Sequence, residues 1–376
     1  MERHKKKIGF FSFNPENEEA QFGLDIFNIL KSERAPLINE ITRKTGISDE
    51  VVAKYFDSWV KKDMLKISGT EKGGLVKFNE ENKTVLGIGF SNDECILAAM
   101  DLGGNIKTKE KISIDPLMKL KGRNREIKVI LEVIGEQTGL RQEEFCCAGI
   151  AVPERVAEII PKSRDLLAEG VSRIFGSDVL VTKEATAAGY SERDYGEDIR
   201  GRDVLYMHSD VGSGAVIKGE MIFEPDTGPG SDEKAYLRPW NQFSIVRVAK
   251  DLVNKGVGTD IVNMVNGDIE SITLEVVMDA AGNHDELAED LVKRSGLALG
   301  VRTAYLVNMF NPEVVILGGG TEKKEGDFAR FVKESAEKFF LDDITGKMDI
   351  IPGALGKEAS SVGAALLCRR ELFMEV

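Results

Sequence analysis

The chain has 376 residues, 42% of them apolar and 30% charged, with a formal net charge of −13 at pH 7. That balance fits a soluble globular protein of two or three domains and excludes membrane-embedded segments, because no apolar run nears the roughly 18 residues a bilayer span needs. Four scattered cysteines without a CxxC pair (Cys95, Cys146, Cys147 and Cys368) suit a reducing, cytoplasmic setting and argue against a disulfide framework or a zinc site.

The opening MERHKKKIGFFSFNPENEE is basic but lacks the apolar core and small-residue cleavage site of a secretory signal. Residues 1–80 hold 14 Lys/Arg and 13 Asp/Glu, which leaves 36 and 50 for the remainder. A near-neutral head on an acidic body leaves only the head as a nucleic-acid surface, since phosphate is repelled by the rest.

In the head, Phe22, Ile26, Phe27, Ile29 and Leu30 recur at helical spacing and the run stops before Pro36. LINEITRKTG reads as a short second helix ending at Gly46. Ser48 caps a third, carrying Val51, Val52, Tyr55, Phe56 and Trp59. MLKISG and LVKFN then alternate around TEKGG, as a hairpin does. Three helices and a hairpin make a winged helix-turn-helix over 1–80, whose third helix normally enters the major groove of double-stranded DNA. Ser48, Arg43, Lys44, Lys54, Lys61, Lys62, Lys66 and Lys72 are the expected DNA contacts. Asp49 and Glu50 at the start of the third helix favour the other reading, a dimerisation or protein-docking module.

The body begins with TVLGIGFSNDECILAAMDLGGNIKTKEKISI, three strands joined by tight turns. FCCAGIAVP and SDVLVTKE are further strands, with REIKVILEVIGEQTG as a helix among them. RDVLYMHSDVGSGAVIKGEMI starts a second strand-turn-strand set. NMFNPEVVILGGGTEK is helix, strand and glycine turn, and SSVGAALLCRRELFM a closing helix. Two similar mixed sheets predict an α/β body of two lobes, 84–195 plus 359–376 and 200–358, with a ligand cleft between them.

NPEVVILGGG (311–320), SSVGAALL (360–367), AGIAVP (148–153) and TKEATAAG (182–189) resemble the ROK family of repressors, open reading frames and kinases, in the actin-like (ribonuclease-H-like) sugar-kinase superfamily. The resemblance covers essentially the whole chain, and the winged helix resembles the repressor branch. It implies that kinase members use ATP and magnesium to phosphorylate a sugar, while repressors sense a sugar or its phosphate in the same cleft.

The family's kinase motifs are altered here. Its first phosphate loop resembles Gly-Ile-Asp-x-Gly-Gly-Thr, against Gly87-Ile88-Gly89-Phe90-Ser91-Asn92-Asp93. Its second resembles Gly-Thr-Gly-x-Gly-x-Gly, against His208-Ser209-Asp210-Val211-Gly212-Ser213-Gly214. Side chains on these turns block close backbone approach, and Asp93 and Asp210 repel phosphate. Gly318-Gly319-Gly320 is intact and reads equally as a nucleoside contact or a strand-to-helix turn. The family's Glu-x-Gly-His and zinc motif are absent, because no His or Cys lies between 220 and 250.

Glu184 takes the place of the kinases' base, an aspartate, and Lys183 that of an asparagine. Glutamate is one methylene longer, and a base must sit within about 3 Å of its hydroxyl. Lys183 is expected to pair with Glu184 and hold it ionised. Glu184 therefore reads as a helix-start carboxylate with no catalytic role, and as the base only if the chain is an active sugar kinase.

The leading expectation is a transcriptional regulator, a homodimer or homotetramer on a DNA operator, with a sugar or related effector and neither cofactor, metal nor membrane partner. Lys183, Glu184, Asp210, Gly212, Gly214, Gly318, Gly319 and Gly320, with Arg238 and Asn241 nearby, would line its cleft. A hexose kinase using ATP and magnesium is the alternative, and a pseudo-enzyme scaffold the third reading.

Overall fold

The computed structural model describes residues 15, 17–69, 73–90, 94–113, 145–153, 163–176, 178–196, 198–209, 213–219, 221–224, 243–321, 327–344 and 346–374. The chain forms two compact units that change over between Ala187 and Ala188 and again between Ala359 and Ser360. The predicted helix at 125–139 lies outside the described residues.

The first unit opens with α1 (Glu18–Glu33), α2 (Ile38–Thr45) and α3 (Asp49–Lys61). Asn17 caps α1, its Oδ1 accepting from Ala20 N–H at 2.8 Å, and Ser48 caps α3, accepting from Val51 N–H at 3.4 Å. Antiparallel β1 (Leu65–Ser68) and β2 (Leu75–Phe78) follow. Leu37 bridges to Leu75, so the link between α1 and α2 forms a third edge of this small sheet. This is a winged helix: Leu24, Phe27, Val52, Phe56, Trp59 and Val76 are buried at its centre.

The same unit holds β3 (Thr84–Phe90), β4 (Glu94–Asp101), β5 (Ile106–Ser113), β6 (Phe145–Val152) and β7 (Asp178–Lys183), with α4 (Ser163–Phe175) before β7. The sheet order is β5-β4-β3-β6-β7, antiparallel through β3–β5 and parallel through β3-β6-β7. Every residue of β3 is buried, as a central strand covered on both faces requires. α5 (Glu184–Tyr195) leaves the end of β7 and continues into the second unit.

The second unit contains β8 (Val204–His208), β9 (Ser213–Lys218), β10 (Met221–Phe223), α6 (Ile245–Asn254), α7 (Ile261–Met264), α8 (Leu274–Gly282), α9 (Glu286–Phe310), β11 (Val314–Gly318), α10 (Asp327–Glu337) and β12 (Asp349–Pro352). Its sheet, β10-β9-β8-β11-β12, repeats the order and directions of the first. Leu205, Met207, Val315 and Leu317 of this sheet and Leu299 and Val307 of α9 join one apolar core.

α11 (Ala359–Leu372) closes the chain. Its Ser360–Leu372 portion belongs to the first unit, where it lies close on β3 and β6. A Cβ on Gly87 would run into the Ser361 carbonyl, and one on Gly149 into that of Ala364. Beyond the helix, Phe373 enters the winged-helix core, 5.1 Å from the Phe27 ring, 5.2 Å from Phe78 and 5.0 Å from Trp59. The guanidinium of Arg369 lies over Phe27 and Phe78 at 4.9 and 5.0 Å, and its Nε donates to the Leu102 carbonyl at 2.7 Å. The head is thereby packed into the same unit as the first large sheet.

Candidate DNA-binding head and ligand-binding turns

On α3 the apolar side (Val52, Tyr55, Phe56, Trp59) is buried, and Ser48, Asp49, Glu50, Ala53, Lys54 and Asp57 are exposed. The end of α3 that a helix-turn-helix presents to DNA is therefore rich in carboxylates. Lys54 is held by Glu19 of α1 at 3.4 Å, Lys66 by Glu81 at 2.6 Å, and Lys44 by Glu33. Arg43, Lys61 and Lys62 are exposed and form no ion pair among the described residues. Lys61 is twelve residues beyond Asp49, about 18 Å along the axis at 1.5 Å per residue, so it cannot join Ser48 at one end of the helix. Lys72 lies outside the described residues.

Sequence reasoning missed Lys77. It is exposed on β2 directly opposite Lys66. Strand alternation across the hairpin was the signal that pairs them.

The expected ligand residues divide between the two units. In the first, Lys183 ends β7 and Glu184 begins α5, with relative exposures of 7% and 9%. Glu184 stands in the first turn of α5, where the helix dipole stabilises a carboxylate.

Gly89, where the resemblance places a metal-anchoring aspartate, has no room for a side chain. A Cβ there would meet the Ser360 hydroxyl and the Ser361 amide of α11. Ser91, Asn92 and Asp93 lie outside the described residues, as do Asp210, Gly212, Arg238 and Asn241.

In the second unit Gly214 is a strand residue of β9, opposite Met207. A Cβ there would be 2.9 Å from the Met207 sulfur, so packing alone accounts for this glycine. Gly318 ends β11, and Gly319 and Gly320 follow with φ of +89° and +103°. The Gly318 carbonyl accepts from Ser209 N–H at 2.8 Å, and side chains on the turn would strike Tyr206 and His208. The turn is built against its own sheet, with two left-handed residues that favour glycine.

Glu192 of α5 also went unremarked in the sequence. Only 3% exposed, its carboxylate accepts from the amides of Ala354 at 2.8 Å and Leu355 at 2.9 Å, anchoring the turn after β12. A 620 Å³ cavity lies elsewhere in the second unit, lined in part by Met278, Phe328, Phe331, Glu286, Asp290 and Lys293. None of the expected ligand residues lines it. Among the described residues no group of His, Cys, Asp and Glu is arranged to hold a metal, and no helix is long and apolar enough to cross a membrane.

These features define a class: a winged-helix module carried on an α/β body whose two units repeat one five-stranded sheet. Residues 255–371 match the ROK family. It is similar to a putative xylose repressor of Caldicellulosiruptor sp., 22% identical over 312 residues covering 74% of this chain and 78% of the relative. It is similar as well to a glucokinase of Thermotoga maritima, 23% identical over 315 residues covering 73% and 98%. Among solved structures, a ROK family transcriptional regulator described as a homolog of the E. coli MLC protein matches with a TM-score of 0.65. That match, at 15% identity, covers 95% of this chain and 97% of the other.

Proposed function

We propose that this chain is a DNA-binding transcriptional regulator that assembles as a homodimer or homotetramer, and that its body senses a small molecule, a sugar or sugar phosphate, without phosphorylating it. The observation that carries this reading is the winged helix with its Ser48-capped third helix. A kinase body leaves that module unaccounted for: the glucokinase uses 98% of its own length to match 73% of this chain, whereas the regulator of known structure spans 95%. A two-fold assembly would place two heads on operator half-sites one or more helical turns apart.

Loss of phosphoryl transfer is supported by Gly89, where α11 occupies the space of a metal-anchoring carboxylate. The reading requires neither ATP nor magnesium. An effector acts by binding one arrangement of the two heads better than another, and only to the extent of that difference.

The test pairs two measurements on the purified chain. Retention of duplex DNA from upstream of its own gene is expected, with affinity falling by about 0.9 log units per log unit of salt for each phosphate neutralised. ATP turnover with a panel of hexoses is expected to equal the rate without sugar. Hexose-dependent turnover that disappears in Glu184→Gln would establish the kinase alternative, and salt-insensitive failure to retain DNA would point to a docking module.

A further inference from the structure

Three of the four cysteines meet in the first unit, Cys146 and Cys147 adjacent in sequence and Cys368 a further 221 residues along. Cys147 of β6 and Cys368 of α11 are buried, with their sulfurs 2.7 Å apart. Cys146 is half-buried and touches the Thr84 carbonyl at 3.3 Å. The register explains why adjacent thiols cooperate. Thr84 pairs with Phe145 and Val85 with Cys147, so Cys146 is the extra residue of a β-bulge. The bulge breaks the alternation that would send Cys146 and Cys147 to opposite faces. The half-buried Cys146 thus directly precedes Cys147, which in turn contacts Cys368.

We propose that Cys147 and Cys368 form a reversible disulfide when a hydroperoxide oxidises this cluster, tying β6 to α11. The thiolate of Cys146 attacks a peroxide oxygen, forming an S–O bond as the O–O bond breaks and an alcohol or water leaves. Cys147 displaces the sulfenic oxygen as water and bonds to Cys146. Cys368 then attacks Cys147, and Cys146 departs as a thiolate. In sum one hydroperoxide and two thiols give one disulfide, one alcohol or water, and one further water. The neighbouring Cys147 thiol, with the ammonium of Lys83, holds the Cys146 thiol below its usual range despite burial, whereas burial raises that of Cys147. The first thiol to react is therefore the more acidic one. Cys95, buried with its thiol pushed far up, is outside the relay. Cys368 immediately precedes Arg369, whose guanidinium lies over Phe27 and Phe78, so the bond would pin α11 beside the winged helix.

The reduced full-length protein is treated with hydrogen peroxide under native conditions, capped with N-ethylmaleimide, unfolded and digested for mass spectrometry. The expected product is a Cys147–Cys368 linked peptide, lost on adding dithiothreitol, with Cys95 still reduced. Cys146→Ser is expected to slow its appearance at least tenfold. Oxidation in guanidinium is expected to scatter the pairings and include Cys95. Recovery of Cys147 and Cys368 as free thiols, or oxidation that stops at Cys146, overturns the proposal. This outcome is read on the unsubstituted protein, so it does not depend on the folding of any variant.

Discussion

The ring of Phe373 meets that of Trp59 edge-on, centroids 5.0 Å apart and planes at 76°. A residue three positions before the last thus completes the core of a module built from the first eighty residues. Edge-to-face pairs of this kind add about 0.5–1.5 kcal/mol beyond their buried area. Phe373→Ala is expected to cost about 3–5 kcal/mol, as large-to-small aromatic substitutions in cores do. Urea unfolding followed by tryptophan fluorescence checks it; a loss under 1 kcal/mol would mean that the head is stable without α11.

Gly23 sits mid-helix in α1, where Ala is better by about 1 kcal/mol on propensity alone. A Cβ at Gly23 would collide with the Phe373 carbonyl, and backbone cannot swing aside as a flexible side chain can. Overpacking costs about 1–3 kcal/mol, so it outweighs propensity. Gly23→Ala is expected to lower the melting temperature, and in Phe373→Ala protein with a loosened C-terminus the same change should do less harm.

Asp285 caps the 25-residue α9, accepting from Ala288 N–H at 2.8 Å, Asp260 N–H at 2.8 Å and the Thr259 hydroxyl at 2.9 Å. Burial raises its pKa, but the backbone donors of Ala288 and Asp260 and the Thr259 hydroxyl outweigh burial and leave it below the ordinary 3.8. A depressed folded value stabilises the protein above the unfolded pKa, and that contribution fades as pH falls through the folded one. Asp285→Ala should cost about 1–2 kcal/mol near neutrality. The gap from wild type, measured by denaturant unfolding across pH 2–7, should be flat above about pH 5 and narrow below the ordinary carboxylate range.

Asp49 and Glu50 stand exposed in the first turn of α3. A carboxylate repels phosphate, yet it can accept a hydrogen bond from the N4 amine of cytosine. Replacing both, as Asp49→Asn with Glu50→Gln, should tighten binding to random duplex several-fold and relax any preference for cytosine, worth about 1–3 kcal/mol per base read. Lys61→Ala is expected to weaken all duplexes alike and to flatten the salt dependence by about one phosphate. Fluorescence anisotropy with specific and random duplexes at two salt concentrations separates the two effects.

Much of the fold was legible in the linear order. Ser48 and Pro36 punctuate the head at its helix ends. The apolar runs VVIL and TVLGIGF mark central strands because a strand covered on both faces cannot alternate. The site was legible only in part. Gly214 looks like half of a phosphate loop, yet it packs against Met207. Lys44, Lys54 and Lys66 look available to DNA, but each has a carboxylate from a distant stretch of chain beside it.

By itself, the sequence determined the local elements, the repeated strand-turn-strand plan and the kinship of its motifs, because propensity, capping and periodicity act over a few residues. The tertiary structure alone decided which far-separated groups meet: Phe373 with Trp59, Cys147 with Cys368, and Gly89 with Ser360. Such contacts depend on how helices and sheets pack, and the spacing of residues along a chain carries no record of that.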